Sequence, residues 1–169
     1  MAHPLFARID RQLELVVREL DNVNEADRRF RRLKALAASR KVDASLYHPW
    51  SHSASLADGI AAIYSGLESI LESIGNEIDE YVPRGDASHA DLVDGMSVAV
   101  EGVRPALLRP ATRERMHDTR KFRHIVRHKY ALELRAGDVT RNLRAARKLV
   151  PEFVRDYRRF VKRMLETGT

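Results

Sequence analysis

The chain has 169 residues, of which 44% are hydrophobic and 32% charged, and a formal charge of +6, which fits one compact helical domain, residues 1–169, rather than two. The absence of cysteine excludes a disulfide scaffold, thiol catalysis and thiolate-held zinc or iron–sulfur centres. Eight Gly and six Pro are too little punctuation for a protein of many short strands, and no uncharged apolar run approaches the roughly 20 residues a membrane helix needs.

Leu5, Ile9, Leu13, Val16, Leu20 and Val23, followed by Phe30, Leu33 and Ala37, keep helical spacing over about residues 4–40. Asn22-Val23-Asn24 is the expected kink. Ser45 to Ser55, with Pro49 and the single Trp50, reads as a loop delivering a capping box at Ser55 and Asp58. Leu56, Ile60, Ile63, Leu67, Ile70, Ile74, Ile78 and Tyr81 then predict a long helix, with Glu68, Glu72 and Asp79 on its other faces. Pro83-Arg84-Gly85-Asp86 breaks the chain, and a shorter helix is expected over about 88–101. A fourth helix over about 111–128 follows Pro110, whose missing N–H costs little in a first turn. Gly137-Asp138 reads as a turn with Asp138 as N-cap of the last helix, where Val139, Leu143, Ala146, Val150, Phe153, Tyr157, Phe160 and Met164 repeat and Pro151 is a candidate kink. The expectation is an all-α, elongated antiparallel bundle of four to five helices. The first ten residues have no signal-peptide core, so a soluble, cytoplasmic protein with no membrane partner is expected.

Charge is distributed unevenly. Residues 1–40 carry nine basic and six acidic side chains, residues 41–104 three and eleven, residues 105–137 nine and three, and residues 138–169 nine and four. The last 65 residues hold nearly all the excess positive charge, and this points to a phosphate-bearing partner.

The densest basic run lies in the fourth helix, Arg120-Lys121-Phe122-Arg123-His124-Ile125-Val126-Arg127-His128-Lys129-Tyr130. On a wheel of about 100° per residue, Thr119, Phe122, Ile125 and Val126 share one side, while Arg120, His124 and Arg127 line the other, with His117 further back. Arg123 and His128 lie about 140° apart and flank that stripe. Either the helix ends near Arg127 and His128 turns inward, or two copies pack stripe to stripe and complete each other's site. Histidine exchanges protons near neutrality, with an unperturbed pKa of about 6.5, and arginine presents a fork of donors to phosphate oxygens. RNA cleavage needs little more. The ribose 2′-hydroxyl attacks phosphorus once a base removes its proton, and cations stabilise the charge that develops, with no metal required.

The run from Arg123 to Tyr130 resembles the R-x4-H-x-Y signature of the HEPN superfamily, and specifically its HepT-like ribonuclease toxins. His124 fits the polar residue usual after the arginine. The wider string FRHIVRHKYALEL from Phe122 to Leu134 and the earlier Tyr64-Ser65-Gly66-Leu67-Glu68 are similar to a HepT-like subgroup. The resemblance spans about Ala54 to Lys162 and leaves the role of the long N-terminal helix open. It implies a HEPN-like bundle that dimerises and cuts RNA without metal or other cofactor, the motif helices of two subunits meeting across a groove. It further implies that Arg123 stabilises phosphate charge, that His128 is general acid or base, and that His124, Arg120 and Arg127 support them. Tyr130 matches the tyrosine that a partner nucleotidyltransferase antitoxin modifies with AMP.

Other readings of the same residues fit less well. A zinc site on His124, His128 and His117 lacks a carboxylate and is opposed by Arg120 and Arg127. His48 and His52 read as surface or capping groups, Trp50 as core or interface, and Glu68 with Glu72 as a solvated or salt-bridging face. A catalytically silent adaptor that binds a nucleotidyltransferase or nucleotide is the alternative to a toxin endoribonuclease, and a duplex-DNA binder ranks last.

Overall fold

The structure is a computed structural model that describes residues 4–128 and 134–167. Among the described residues it is all helical: α1 Pro4–Ala38, a 3-10 turn Ala44–Leu46, α2 Pro49–Glu77, α3 Ser88–Gly95, α4 Pro110–His128 and α5 Ala136–Thr167. The expected all-α bundle is present, and no described helix is long and apolar enough to cross a membrane.

Apolar spacing decides which faces are buried. Leu5, Ile9, Leu13, Val16 and Val23 of α1 meet Leu56, Ile60, Ile63, Leu67, Ile70 and Ile74 of α2, with Leu143, Phe153 and Phe160 of α5, in one core cluster. Gly59 and Gly66 of α2 sit seven residues apart opposite Val23 and Val16 of α1, which are also seven apart. A Cβ on Gly59 would stand 2.2 Å from Val23 and one on Gly66 2.6 Å from Val16, so the two helices approach only because both side chains are missing. That register, together with the Arg8–Glu77 ion pair, makes α1 and α2 antiparallel. Tyr157 of α5 donates to the Phe6 carbonyl at 3.2 Å while Arg147 reaches Asn24 and Asp27, so α5 also runs antiparallel to α1. Arg109 and Arg115 pair with Asp156 and Glu152, which sets α4 antiparallel to α5. Up-down-up-down order therefore holds for the four long helices. It places the C-termini of α1 and α4 beside the N-termini of α2 and α5.

Several expected boundaries shift, each for a physical reason. Helix α1 is continuous through Asn22-Val23-Asn24, where Val23 is buried against α2. The capping box at Ser55 and Asp58 does not form, because α2 begins at Pro49, six residues earlier. His48 is extended, and its carbonyl accepts the first helical bond from the His52 N–H at 3.1 Å. Tertiary contacts hold that extra turn. The His52 ring stacks on Phe30 with centroids 4.8 Å apart, and Nε2 lies 3.1 Å from Asp27. His52 is thus a packed inter-helix group rather than a surface loop histidine, and Trp50 is 54% exposed rather than core. At its other end α2 stops at Glu77, and the chain folds back so that the Tyr81 N–H bonds the Gly75 carbonyl at 3.0 Å.

Helix α3 ends at Gly95 instead of near 101 because the following loop wraps a buried arginine. Arg104 makes a two-pronged pair with Asp79 at 2.6 and 2.8 Å and donates to the carbonyls of Gly95, Val98 and Pro105. Pro110 opens α4 as expected. The preceding Arg109 N–H is taken at 2.9 Å by fully buried Asp156, a carboxylate at a helix N-terminus. Asp138 is not the cap of α5, since its N–H already bonds Arg135 and it sits inside the first turn. Helix α5 continues through Pro151.

Asp27 ties three helices together. Its buried carboxylate accepts from Arg31 at 2.9 Å, from His52 of α2, and from Arg147 of α5 at 3.0 Å. Burial alone would raise its pKa, but these three hydrogen bonds outweigh burial and hold it below the ordinary aspartate value. A depressed folded-state pKa contributes stability above the unfolded value that is lost as pH falls through the folded one. Asp27→Ala should therefore cost about 2 kcal/mol near neutrality, the worth of a charged hydrogen bond. In urea titrations the gap from wild type should close as pH drops below the ordinary value of 3.8.

Candidate functional site

The inner face of α4 is built from Thr112, Met116, Thr119 and Phe122, all buried. Arg123, four residues past Thr119, continues that face toward α2, and its side chain is only 12% exposed. Its Nε donates to Ser65 Oγ at 3.0 Å, and Nη2 lies 3.5 Å from Glu68 Oε2. The guanidinium carbon sits 5.4 Å from the centre of the Tyr64 ring, within cation–π reach. A single helical turn, Tyr64 to Glu68, thus supplies every described contact that grips Arg123.

Glu68 organises this cluster. A buried carboxylate is costly unless donors surround it, and Glu68 is only 5% exposed. Tyr64 donates to Oε1 at 2.9 Å, and His89 Nδ1 of α3 lies 2.8 Å from the same oxygen. Burial, and then the Glu68 charge, push the Tyr64 hydroxyl well above the ordinary tyrosine range, so it stays a proton donor. Glu68 is therefore a buried node, salt-bridging as one of the two expectations had it and not solvated.

The placement of Arg120 differs from the wheel. Arg120 does not lie on an outward stripe. It is half-buried, its Nε is buried with no hydrogen-bond partner among the described residues, and its charge bears on Tyr64. Arg123, read from the wheel as an edge residue, faces inward. A wheel sorts residues by polarity, but the facing strip of α2 is itself polar through Ser65 and Glu68, so arginine is the complement there. His117 is also committed elsewhere. Its Nε2 lies 2.7 Å from Asp94 of α3, whose carboxylate also accepts from Arg113 at 2.6 Å. Burial raises the Asp94 pKa, but the Arg113 and His117 bonds outweigh it and hold it low.

The outward face of α4 carries His124, Arg127 and His128, all exposed. The two imidazoles stack with centroids 4.1 Å apart and planes 23° from parallel. His128 Nδ1 lies 3.0 Å from the His124 carbonyl oxygen, which can only accept, so Nδ1 carries the proton. In the neutral ring the lone pair then sits on Nε2, the atom left for proton transfer. Because α4 stays helical as far as His128, that residue does not turn inward toward Arg123. In one chain, therefore, Arg123 is set against α2 while the His124–His128 pair faces out. Tyr130 lies outside the described residues. Among the described residues, no three His, Asp or Glu side chains group as a metal site.

Tyr64, Ser65 and His89 were not singled out for a role from spacing, although Tyr64 and Glu68 stand four apart on one helix. If Glu68 holds Arg123, the two should be energetically coupled. A cycle of Glu68→Gln and Arg123→Met should give a coupling of roughly 1–2 kcal/mol in thermal or urea unfolding. Additive effects would show that the arginine is held by something else.

A family model described as HepT-like protein matches residues 55–164, which takes in α3, α4, most of α5 and all but the first turns of α2. No curated protein and no solved structure matches the chain. The matched span includes both the Tyr64–Glu68 clamp and the Arg123–His128 run and covers well over half of the sequence, and on that basis the chain belongs to the HepT-like family, generally ribonuclease toxins of the HEPN type.

Proposed function

We propose that the protein is a metal-independent endoribonuclease toxin whose site is completed between two copies of the chain. The observation that carries this reading is the split arrangement of α4. Arg123 is clamped by Tyr64, Ser65 and Glu68, while His128, with its tautomer set by the His124 carbonyl, faces outward. In a two-fold dimer each outward histidine pair faces the partner's surface, so one copy's His128 is offered to a phosphate near the other copy's Arg123.

The chemistry follows from these groups. His128 Nε2 takes the 2′-hydroxyl proton as the 2′ oxygen bonds to phosphorus. The bond to the 5′ oxygen breaks, and the leaving oxygen takes a proton from the imidazolium, which gives a 2′,3′-cyclic phosphate and a 5′-hydroxyl end. Arg123 stabilises the extra negative charge on the phosphorus oxygens, and its grip by α2 keeps the guanidinium preorganised. Arg127 and Arg120 add positive potential, and His124 keeps the His128 ring oriented. The antitoxin in this reading is a nucleotidyltransferase that places AMP on Tyr130. A bulky anion two residues from the base would block entry and repel phosphate.

His128→Ala should abolish growth inhibition and RNA cleavage while leaving the helical circular dichroism and the melting temperature unchanged. Cleavage that persists would remove His128 from the mechanism. Wild-type cleavage should survive EDTA. Loss of activity restored by zinc or manganese would overturn the metal-free scheme.

A further inference from the structure

The N-terminal helix lies outside the family-matched span, and the sum over residues 1–40 conceals what its far end carries. Residues 28–41 contain seven basic side chains, Arg28, Arg29, Arg31, Arg32, Lys34, Arg40 and Lys41, and no acidic one. Arg28 and Arg29 pair with Glu25, and Arg31 with Asp27. Lys34 has no ionic partner among the described residues, and the same is true of Arg144 on α5. Both line a cavity of about 660 Å³ between the end of α1 and the starts of α2 and α5. Arg31, Tyr47, His52 and Thr140 also line it, and among the described residues no carboxylate does. Asp27 is the nearest buried acid to this wall and is already saturated by Arg31, His52 and Arg147.

Two further features favour anions. Pro49 and Ala136, which open α2 and α5, both line the cavity, so it lies between two helix N-termini with their partial positive charge. The first turns of α5 also connect it to the catalytic end. Ala136, Val139 and Thr140 face this cavity, while Asp138, Arg141 and Asn142 form a second hollow with Phe122 and Ile125 of α4. Cavity and histidine pair thus share one end of the bundle.

We infer that this cavity is an RNA-anchoring subsite in which Lys34, Arg144 and Arg31 hold backbone phosphates of a single strand whose scissile bond lies at the Arg123–His128 site. The inference rests on the ribonuclease reading and extends it, assigning substrate grip to a helix the family model does not include. The chemistry assigned is that of phosphodiesters along a strand, not of one compact anion, because the cavity shares an end of the bundle with the Arg123–His128 run where the same strand would be cut.

The test uses the full-length protein and a 2′-O-methyl oligoribonucleotide, which binds but cannot be cut, with the exposed single Trp50 and fluorescence anisotropy as readouts. The Lys34→Gln/Arg144→Gln pair should weaken binding at least about tenfold and lower the slope of log Kd against log salt by about 1.4, the share of two phosphate contacts on a single strand. KM for a cleavable oligonucleotide should rise in step. The charge-keeping pair Lys34→Arg/Arg144→Lys should retain most of the affinity, and equal melting temperatures exclude a folding defect. An unchanged Kd and salt slope in the Gln pair, with wild-type cleavage intact, would overturn the subsite and leave the ribonuclease reading standing. ATP or pyrophosphate binding as tightly as the oligonucleotide would overturn it in favour of a nucleotide site. A wild type that neither binds nor cuts RNA would overturn both readings.

Discussion

Glu68 cannot be buried without a cation, and that requirement sets how α4 is rotated against α2. Tyr64 and His89 satisfy one carboxylate oxygen, and the remaining charge is met by Arg123 at 3.5 Å, with Ser65 and the Tyr64 ring holding the guanidinium in place. Once Arg123 is turned inward, helical geometry sends a residue five positions later about 140° away. His128 therefore faces solvent, stacked on His124 and donating to its carbonyl. In the proposed mechanism, the contact that preorganises the arginine also keeps a single chain from closing its own site. A second copy supplies the missing half in the proposed mechanism, which makes dimerisation a catalytic requirement.

The scaffold around this contact is held by a few interactions in which polarity is buried and fully answered. Asp27 joins α1, α2 and α5, Arg104 gathers the loop after α3, and Asp156 receives the start of α4. Such pairs contribute little net energy against an apolar alternative, but removing one partner is costly. They specify register, whereas stability comes from the apolar cluster and from the close α1–α2 approach at Gly59 and Gly66. Because α1 and α2 run antiparallel, the basic end of α1 is delivered beside the first turn of α2 and the start of α5.

How much of this was legible in the sequence depended on whether the signal was local. Apolar steps of three and four placed the cores of α1, α2 and α5, and Pro110 opened α4 as expected. The first turn of α2 was missed because its support is tertiary, His52 against Phe30 and Asp27, with no apolar repeat of its own. Arg120 was placed outward because a wheel assumes that charge seeks water, and Arg123 was placed only at the edge of that stripe. The inward position of Arg123 depends on Ser65 and Glu68, which are distant in sequence. The motif run itself was visible, but its division into an inward arginine and an outward histidine required the neighbouring helix. The basic end of α1 was hidden by averaging it with the acidic residues that precede Arg28.

Mixing two inactive variants tests the shared site most directly. Arg123→Ala and His128→Ala proteins, combined at equal concentration after exchange of subunits, should recover about a quarter of wild-type RNA cleavage, because half of the dimers are mixed and each mixed dimer holds one intact site. No recovery, from variants shown to be folded and to exchange subunits, would contradict a site built from Arg123 of one copy and His128 of the other.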